Sequence, residues 1–134
     1  MKNKVAIVAA NYYENITNDL VDGVKNNLNE SFDTSTYFVD GAWEIIYKIN
    51  DLSENGSIDK FVAIGVIIKG DTDHYEYISQ GVINGLIKLT IDKNIYISNC
   101  VLNVHDMEHA MNRSKDDMNN KGSQSAIAIN NLFS

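Results

Sequence analysis

Apolar positions follow two alternating rhythms along the chain. Lys4 is followed by the unbroken run Val5, Ala6, Ile7, Val8, Ala9 and Ala10, which predicts a strand over residues 4–10 buried on both faces. Over residues 16–28, Ile16, Leu20, Val24 and Leu28 fall four apart among polar residues, which predicts an amphipathic helix with Thr17 or Asn15 as its cap. Residues 34–39 are rich in β-formers and predict a second strand. Trp43, Ile46, Tyr47 and Ile49 then return at helical spacing over residues 42–52, with a stop near Asn55 and Gly56. Residues 61–68 form the most apolar stretch and the best candidate for a central strand. After a polar loop, Tyr77, Ile78, Gly81, Val82, Gly85 and Leu86 trace a helix face. A fourth strand is expected over residues 95–102, interrupted by Ser98 and Asn99, and then helical stretches at 108–113 and 122–132.

Four strand-to-helix alternations predict an α/β fold with a parallel sheet and helices on both faces. The expected architecture is a doubly wound, three-layer flavodoxin-like sandwich with four strands. So narrow a sheet leaves two edges to protect, which favours association with other chains. In such folds ligands bind beyond the carboxyl ends of the strands, so the loops there are where chemistry is sought.

Composition narrows the field. The 134 residues suit one domain, taken as 1–134, able to bury a core without disulfide or metal staples. Eleven Lys and Arg against 18 Asp and Glu, and no basic run, argue against nucleic acid as a partner. No apolar run approaches a membrane span, and the Met-Lys-Asn-Lys start lacks the apolar region of a signal peptide. One cysteine, Cys100, has no internal partner for a bridge, which fits a reducing compartment. A cytoplasmic location is therefore expected. Proline is absent, so no turn has φ fixed by a ring.

Four strand-end loops carry candidate chemistry. After the first strand, the aromatic ring of Tyr12 can stack on a planar heterocycle or simply pack on its own helix. After the second, Gly41, Ala42 and Trp43 open a helix whose first amides can bind an oxygen. Glu44 there can accept from a polyol, or merely complement the helix dipole. After the third, Lys69, Gly70, Asp71, Thr72, Asp73 and His74 lead from the most apolar strand into a helix, a natural cradle for phosphate. His74 has the side-chain type best suited to proton transfer near neutrality, and it could equally be bonded to a carboxylate such as Glu76. The glycines and terminal Lys-Ser/Thr of a nucleotide-binding P-loop are missing. In the fourth region His105 and His109 are four apart, a weak pattern for a metal without the His-Glu-x-x-His order. Arg113 there offers a planar fork to phosphate or a surface pair with Asp116 or Asp117.

Taken in order, these segments resemble the 6,7-dimethyl-8-ribityllumazine synthase family. Residues 10–16 resemble its Ala-Arg-Phe-Asn-x-x-Ile segment, and residues 39–45 its Val-Pro-Gly-Ala-Phe/Trp-Glu-Ile segment. Residues 63–77 are similar to Ala-Leu-Gly-x-Val-Ile-Arg-Gly-x-Thr-x-His-Phe/Tyr-Asp-Tyr, the most specific of the matches. Residues 108–113 and 120–122 resemble Glu-Gln-Ala-x-x-Arg and Asn-Lys-Gly.

The resemblance implies a transferase of riboflavin biosynthesis. It condenses 5-amino-6-ribitylaminouracil with 3,4-dihydroxy-2-butanone 4-phosphate, releasing phosphate and water without a metal or redox cofactor. It implies that Tyr12 stacks on the pyrimidine, and that Gly41, Ala42, Trp43, Glu44 and Asn99 form the pyrimidine and ribityl side of the site. Gly70, Asp71, Thr72 and Arg113 would hold the phosphate, with Lys69 and Lys121 as additional candidates, and His74 would move protons. It further implies small-molecule substrates and self-association as a homopentamer or a higher assembly. The site would lie at the subunit interface, with Arg113 and the stretch near Asn99 coming from the adjacent chain. Riboflavin synthase is a candidate further partner, and neither nucleic acid nor membrane is expected. Because the chain begins almost at its first strand, a pentamer or paired pentamers is expected over an icosahedral shell. Departures from the family pattern are Tyr13 for Asn, Asp40 for Pro, Lys69 for Arg, Asn99 for an apolar or aromatic residue, and Asn103 and Val104 for two threonines. The readings these departures leave open are a non-catalytic lumazine- or flavin-binding paralogue and a scaffold or shell subunit. A flavodoxin-like electron carrier fits less well, because bulky residues follow the first strand.

Overall fold

The computed structural model describes residues 3–70 and 74–133. Four parallel strands, β1 (Asn3–Ala10), β2 (Phe32–Val39), β3 (Lys60–Ile68) and β4 (Tyr96–Val104), are arranged in the order β2-β1-β3-β4. Helices α1 (Glu14–Asn27), α2 (Ala42–Ser53) and α3 (His74–Lys93) connect them, and α4 (Met107–Asn112) and α5 (Lys121–Phe133) follow. The expected flavodoxin-like layering is present.

Strand alternation divides the core. Val5, Ile7 and Ala9 of β1 share one face with Val62, Ile64 and Val66 of β3 and with Cys100, Leu102 and Val104 of β4, packed against α1 and α5. Ala6 and Val8, with Phe61, Ala63 and Ile67, turn to α2 and α3 on the other face. β1 and β3 are therefore apolar on both sides, as their continuous runs require. Each buried Ile, Leu or Val on these faces contributes about 1.5–3 kcal/mol. Among the described residues no helix is long and apolar enough to cross a membrane.

The α1 face holds Ile16, Leu20 and Val24 in the core, as their spacing predicts. Its cap does not follow the expectation. The helix starts at Glu14 behind Tyr13 with no side-chain cap, and Thr17 lies inside it, donating its hydroxyl to the Ala10 carbonyl at 2.8 Å. That buried bond ties the end of β1 to the first turn of α1 and fixes the intervening loop. Thr17→Val is expected to lower unfolding free energy in urea titration by about 1–3 kcal/mol, since it strips a buried carbonyl of its donor.

α2 corrects the predicted face more strongly. Ile45 and Ile49 are fully buried, whereas Trp43 and Tyr47 are 62% and 73% exposed. The helix carries two apolar stripes, and the one made of isoleucines meets the sheet. In α3 the core face is Ser79, Val82, Leu86 and Leu89, and Tyr77 points outward, 73% exposed. Gly56, at φ +72°, ends the turn after α2, consistent with the stop expected there.

Candidate active site

The strand order reverses between β1 and β3, and beyond their carboxyl ends lies a cleft of about 400 Å³. Tyr12 and Tyr13 line it from the β1–α1 turn, Gly41, Ala42 and Trp43 from the start of α2, Val66, Ile67 and Ile68 from β3, and His74 and Ile78 from α3. The volume is ordinary for a small-molecule site.

Each wall has a local cause. The Asn11 amide donates to the Val39 carbonyl at 2.8 Å, extending the β1–β2 pairing by one residue before the chain turns. Tyr12 is then thrown to the rim, 76% exposed, with its ring edge-on to Tyr13 at 4.9 Å between centroids. Tyr13 is half-buried against the α1 side of the core, so it holds Tyr12 while leaving a face of that ring open.

Gly41 precedes α2 in an extended conformation, and its amide donates to Glu44 Oε1 at 3.0 Å. Part of the Glu44 carboxylate thus serves the helix start, and the Gly41 amide is engaged rather than free as expected. The Ala42 and Trp43 amides head the helix, with no carbonyl one turn earlier to accept from them. They point the positive end of α2 towards the cleft.

His74 is the first residue of α3, exposed, and part of the cleft wall. Lys69 follows β3 and its amide donates to the Val104 carbonyl at 2.9 Å, so β3 and β4 stay paired up to the loop. The Lys69 ammonium stands 3.7 Å from Glu76, a half-exposed pair that links the strand end to α3. Gly70 is exposed, and among the described residues nothing lies within 4 Å of a Cβ placed on it. Asp71 and Thr72, expected to hold phosphate, lie outside the described residues.

Other expected site residues are not gathered into this cleft within one chain. Arg113, half-buried at the end of α4, donates Nη1 to the His109 carbonyl at 3.0 Å instead of pairing with Asp116 or Asp117. Lys121 opens α5 and reaches the Gln124 side chain at 3.1 Å. Asn99 lies on edge strand β4, where its carbonyl oxygen accepts from the Val101 amide at 3.0 Å. Asn103 donates to the Val101 carbonyl at 3.2 Å, so the two asparagines occupy both backbone polar groups of Val101 on the sheet edge, while its side chain is buried. The two imidazoles of the fourth region have different neighbours: His109 Nδ1 is 3.0 Å from Asp106 Oδ1, and the His105 ring is 6.3 Å from that of Tyr75.

Val66, Ile67, Ile68 and Ile78 are cleft residues not singled out from the sequence. Ile78 lies one turn after His74 on α3, and that spacing was the available signal. A second cavity of about 380 Å³ lies between α1 and α4, lined by Tyr13, Ile16, Met107 and Met111 among others. The first turn of α1 forms part of its wall, but no imidazole does and Glu14 and Asp19 make that wall acidic, so the chemistry is assigned to the first cleft.

Cys100 is not a competing nucleophile. Burial pushes its thiol up to about 12, outweighing the Ser125 hydroxyl and the charge of Lys121. At neutral pH it stays protonated and inaccessible. An alkylating reagent is expected to label it only after denaturation, as followed by intact mass.

A model of the family described as 6,7-dimethyl-8-ribityllumazine synthase matches residues 2–134. A protein of that name from Bartonella tribocorum is 38% identical over 131 residues, covering 95% of this chain and 85% of the relative. One from Zymomonas mobilis is 34% identical over 131 residues, covering 97% and 94%. One from Pediococcus pentosaceus is 31% identical over 132 residues, covering 96% and 85%. The chain belongs to the 6,7-dimethyl-8-ribityllumazine synthase family, transferases of riboflavin biosynthesis.

Proposed function

We propose that the cleft beyond β1 and β3 joins 5-amino-6-ribitylaminouracil to 3,4-dihydroxy-2-butanone 4-phosphate, forming 6,7-dimethyl-8-ribityllumazine, phosphate and water. The observation that carries this is the convergence of an exposed aromatic ring, a helix N-terminus and an imidazole on one apolar-walled cleft. Tyr12 stacks on the pyrimidine, and the apolar ends of β3 exclude water beside it. The Ala42 and Trp43 amides, with the remaining capacity of Glu44, bind ribityl hydroxyls. Gly70 and its loop hold the phosphate, with Lys69 adding charge. His74 moves protons as the imine forms, phosphate leaves and the ring closes.

Arg113 and Lys121 complete the phosphate site from a neighbouring copy, and Asn99 reaches the pyrimidine side in the same way. Two features support that division. These residues do not line their own chain's cleft, and Trp43, Tyr47, Tyr77 and Ile91 leave large apolar surface on α2 and α3 exposed. Self-association covers such surface, and a homopentamer, alone or within a larger assembly, is the arrangement proposed. The protein is proposed to work in the cytoplasm as a single domain over 1–134, with riboflavin synthase as a candidate partner.

Arg113→Ala is expected to raise KM for the phosphate-bearing substrate about 10–100-fold, the cost of losing charge-assisted hydrogen bonds. KM for the pyrimidine should change little. Mixing and reassembling Arg113→Ala and His74→Ala subunits is expected to give more activity than either alone, because some interfaces then combine an intact His74 with an intact Arg113. No gain on mixing, in assemblies shown to exchange subunits, would place both residues in the same chain's site.

A further inference from the structure

We propose that Asn120 is a positioning residue: its buried carboxamide closes the loop between Arg113 and Lys121 and thereby fixes where both cations stand. The inference rests on the reading of Arg113 as a phosphate ligand and assigns to Asn120 a role in that same site.

Asn120 is 2% exposed and directs its side chain inward in three directions. Its Oδ1 accepts from the Ser123 amide at 2.9 Å, capping α5. Its Nδ2 donates to the Ser114 carbonyl at 2.9 Å and lies 3.5 Å from the Asp19 carbonyl on α1. Beside it, the Lys121 amide donates to the Arg113 carbonyl at 2.8 Å. One backbone bond and one side-chain bond, on adjacent residues, thus clamp the neck of a loop that runs from Arg113 to Lys121. The Gln124 side chain adds a third tie by donating to the Met118 carbonyl at 3.1 Å.

The seat is tight. A Cβ on Gly23 would fall 2.2 Å from Asn120 Oδ1, so α1 presses directly on the carboxamide. The group cannot swing without moving α1, and its plane offers the acceptor and two donors that the three contacts need. Aspartate would supply the cap but no donor, and serine would cap but not span to Ser114.

The clamp joins α5 to α1, but the loop that it closes is not core. Lys115, Asp116, Asp117, Met118 and Asn119 are all exposed, and the loop they form buries little. The residues whose positions depend on it are Arg113 and Lys121 at its ends. An arginine grasping an anion across an interface needs a fixed backbone, because the directional charge-assisted hydrogen bonds it offers are weakened when the guanidinium is displaced.

The test compares Asn120→Ser with Arg113→Ala, singly and combined, in assembled wild-type background. Asn120→Ser keeps an N-cap, and Asn120→Asp serves as a second variant that keeps both cap and volume. The expected result for Asn120→Ser is a KM for the phosphate-bearing substrate about 10-fold higher, with weaker inhibition by inorganic phosphate. Its KM for the pyrimidine and its kcat should stay within twofold of wild type. In the Arg113→Ala background the same substitution should add nothing further. If Arg113→Ala raises that KM and neither Asn120 variant does, the positioning role is overturned while the site reading stands. If Arg113→Ala leaves it unchanged, both fall. An Asn120→Ser penalty of equal size with and without Arg113 would show a general structural effect and also overturn the proposal.

Discussion

His74→Ala is expected to slow lumazine formation about 10²–10⁴-fold without abolishing it, as measured by product absorbance under saturating substrates. The reaction unites two molecules and expels a dianion, so holding the partners in line supplies up to about 7–11 kcal/mol of the acceleration. Tyr12, the Ala42 and Trp43 amides and the phosphate loop remain in the variant, and with them that share. On the proposed reading, what is lost is a proton carrier at the head of α3, which weak buffers in solvent replace poorly. Because His74 is exposed and opens its helix, its removal should leave the unfolding midpoint almost unchanged. A wild-type rate in the variant would remove His74 from the chemistry.

Gly122→Ala is expected to cost about 3 kcal/mol of stability, near the upper end of ordinary overpacking. A Cβ there would lie 2.0 Å from the Leu20 carbonyl oxygen, a backbone atom that cannot turn aside. α1 and α5 meet so closely at this point that one of them must shift, and α1 also carries Leu20 and Val24 into the core. Gly70→Ala is the matched control for stability, since among the described residues nothing lies within 4 Å of the added methyl. Chemical denaturation of the two variants should separate them clearly; a midpoint for Gly122→Ala equal to wild type would mean the helices are not in contact as described.

The parts of the fold that were legible in the sequence are those where one physical requirement dominates. β1 and β3 are buried on both faces, so their apolar runs are unbroken, and the i, i+4 spacing of Ile16, Leu20 and Val24 has no competing stripe. α2 was misread because it carries two apolar stripes, and spacing alone does not say which meets the sheet and which, with Trp43 and Tyr47, is left for another surface. The cap of α1 was misassigned because a threonine that bonds a strand's last carbonyl from inside a helix has the same local signature as one that caps it.

Among the cleft residues, Tyr12, Gly41, Ala42, Trp43 and His74 were identifiable because each lies in a strand-end loop or at the start of the helix that follows, and the topology brings those positions together. Arg113 stood out by residue type, and Asn99 and Lys121 only through the family resemblance; none of the three lines the cleft of its own chain. Asn120 drew no separate notice, because only its cap on Ser123 is local, and its bonds to Ser114 and Asp19 join segments that the sequence does not place together.

The most direct test of the central claim is to incubate the protein with 5-amino-6-ribitylaminouracil and 3,4-dihydroxy-2-butanone 4-phosphate while recording lumazine absorbance and free phosphate together. The cleft as described should release one phosphate for each lumazine formed, at a rate far above the uncatalysed condensation. Binding of both substrates with no lumazine above the uncatalysed background would contradict it.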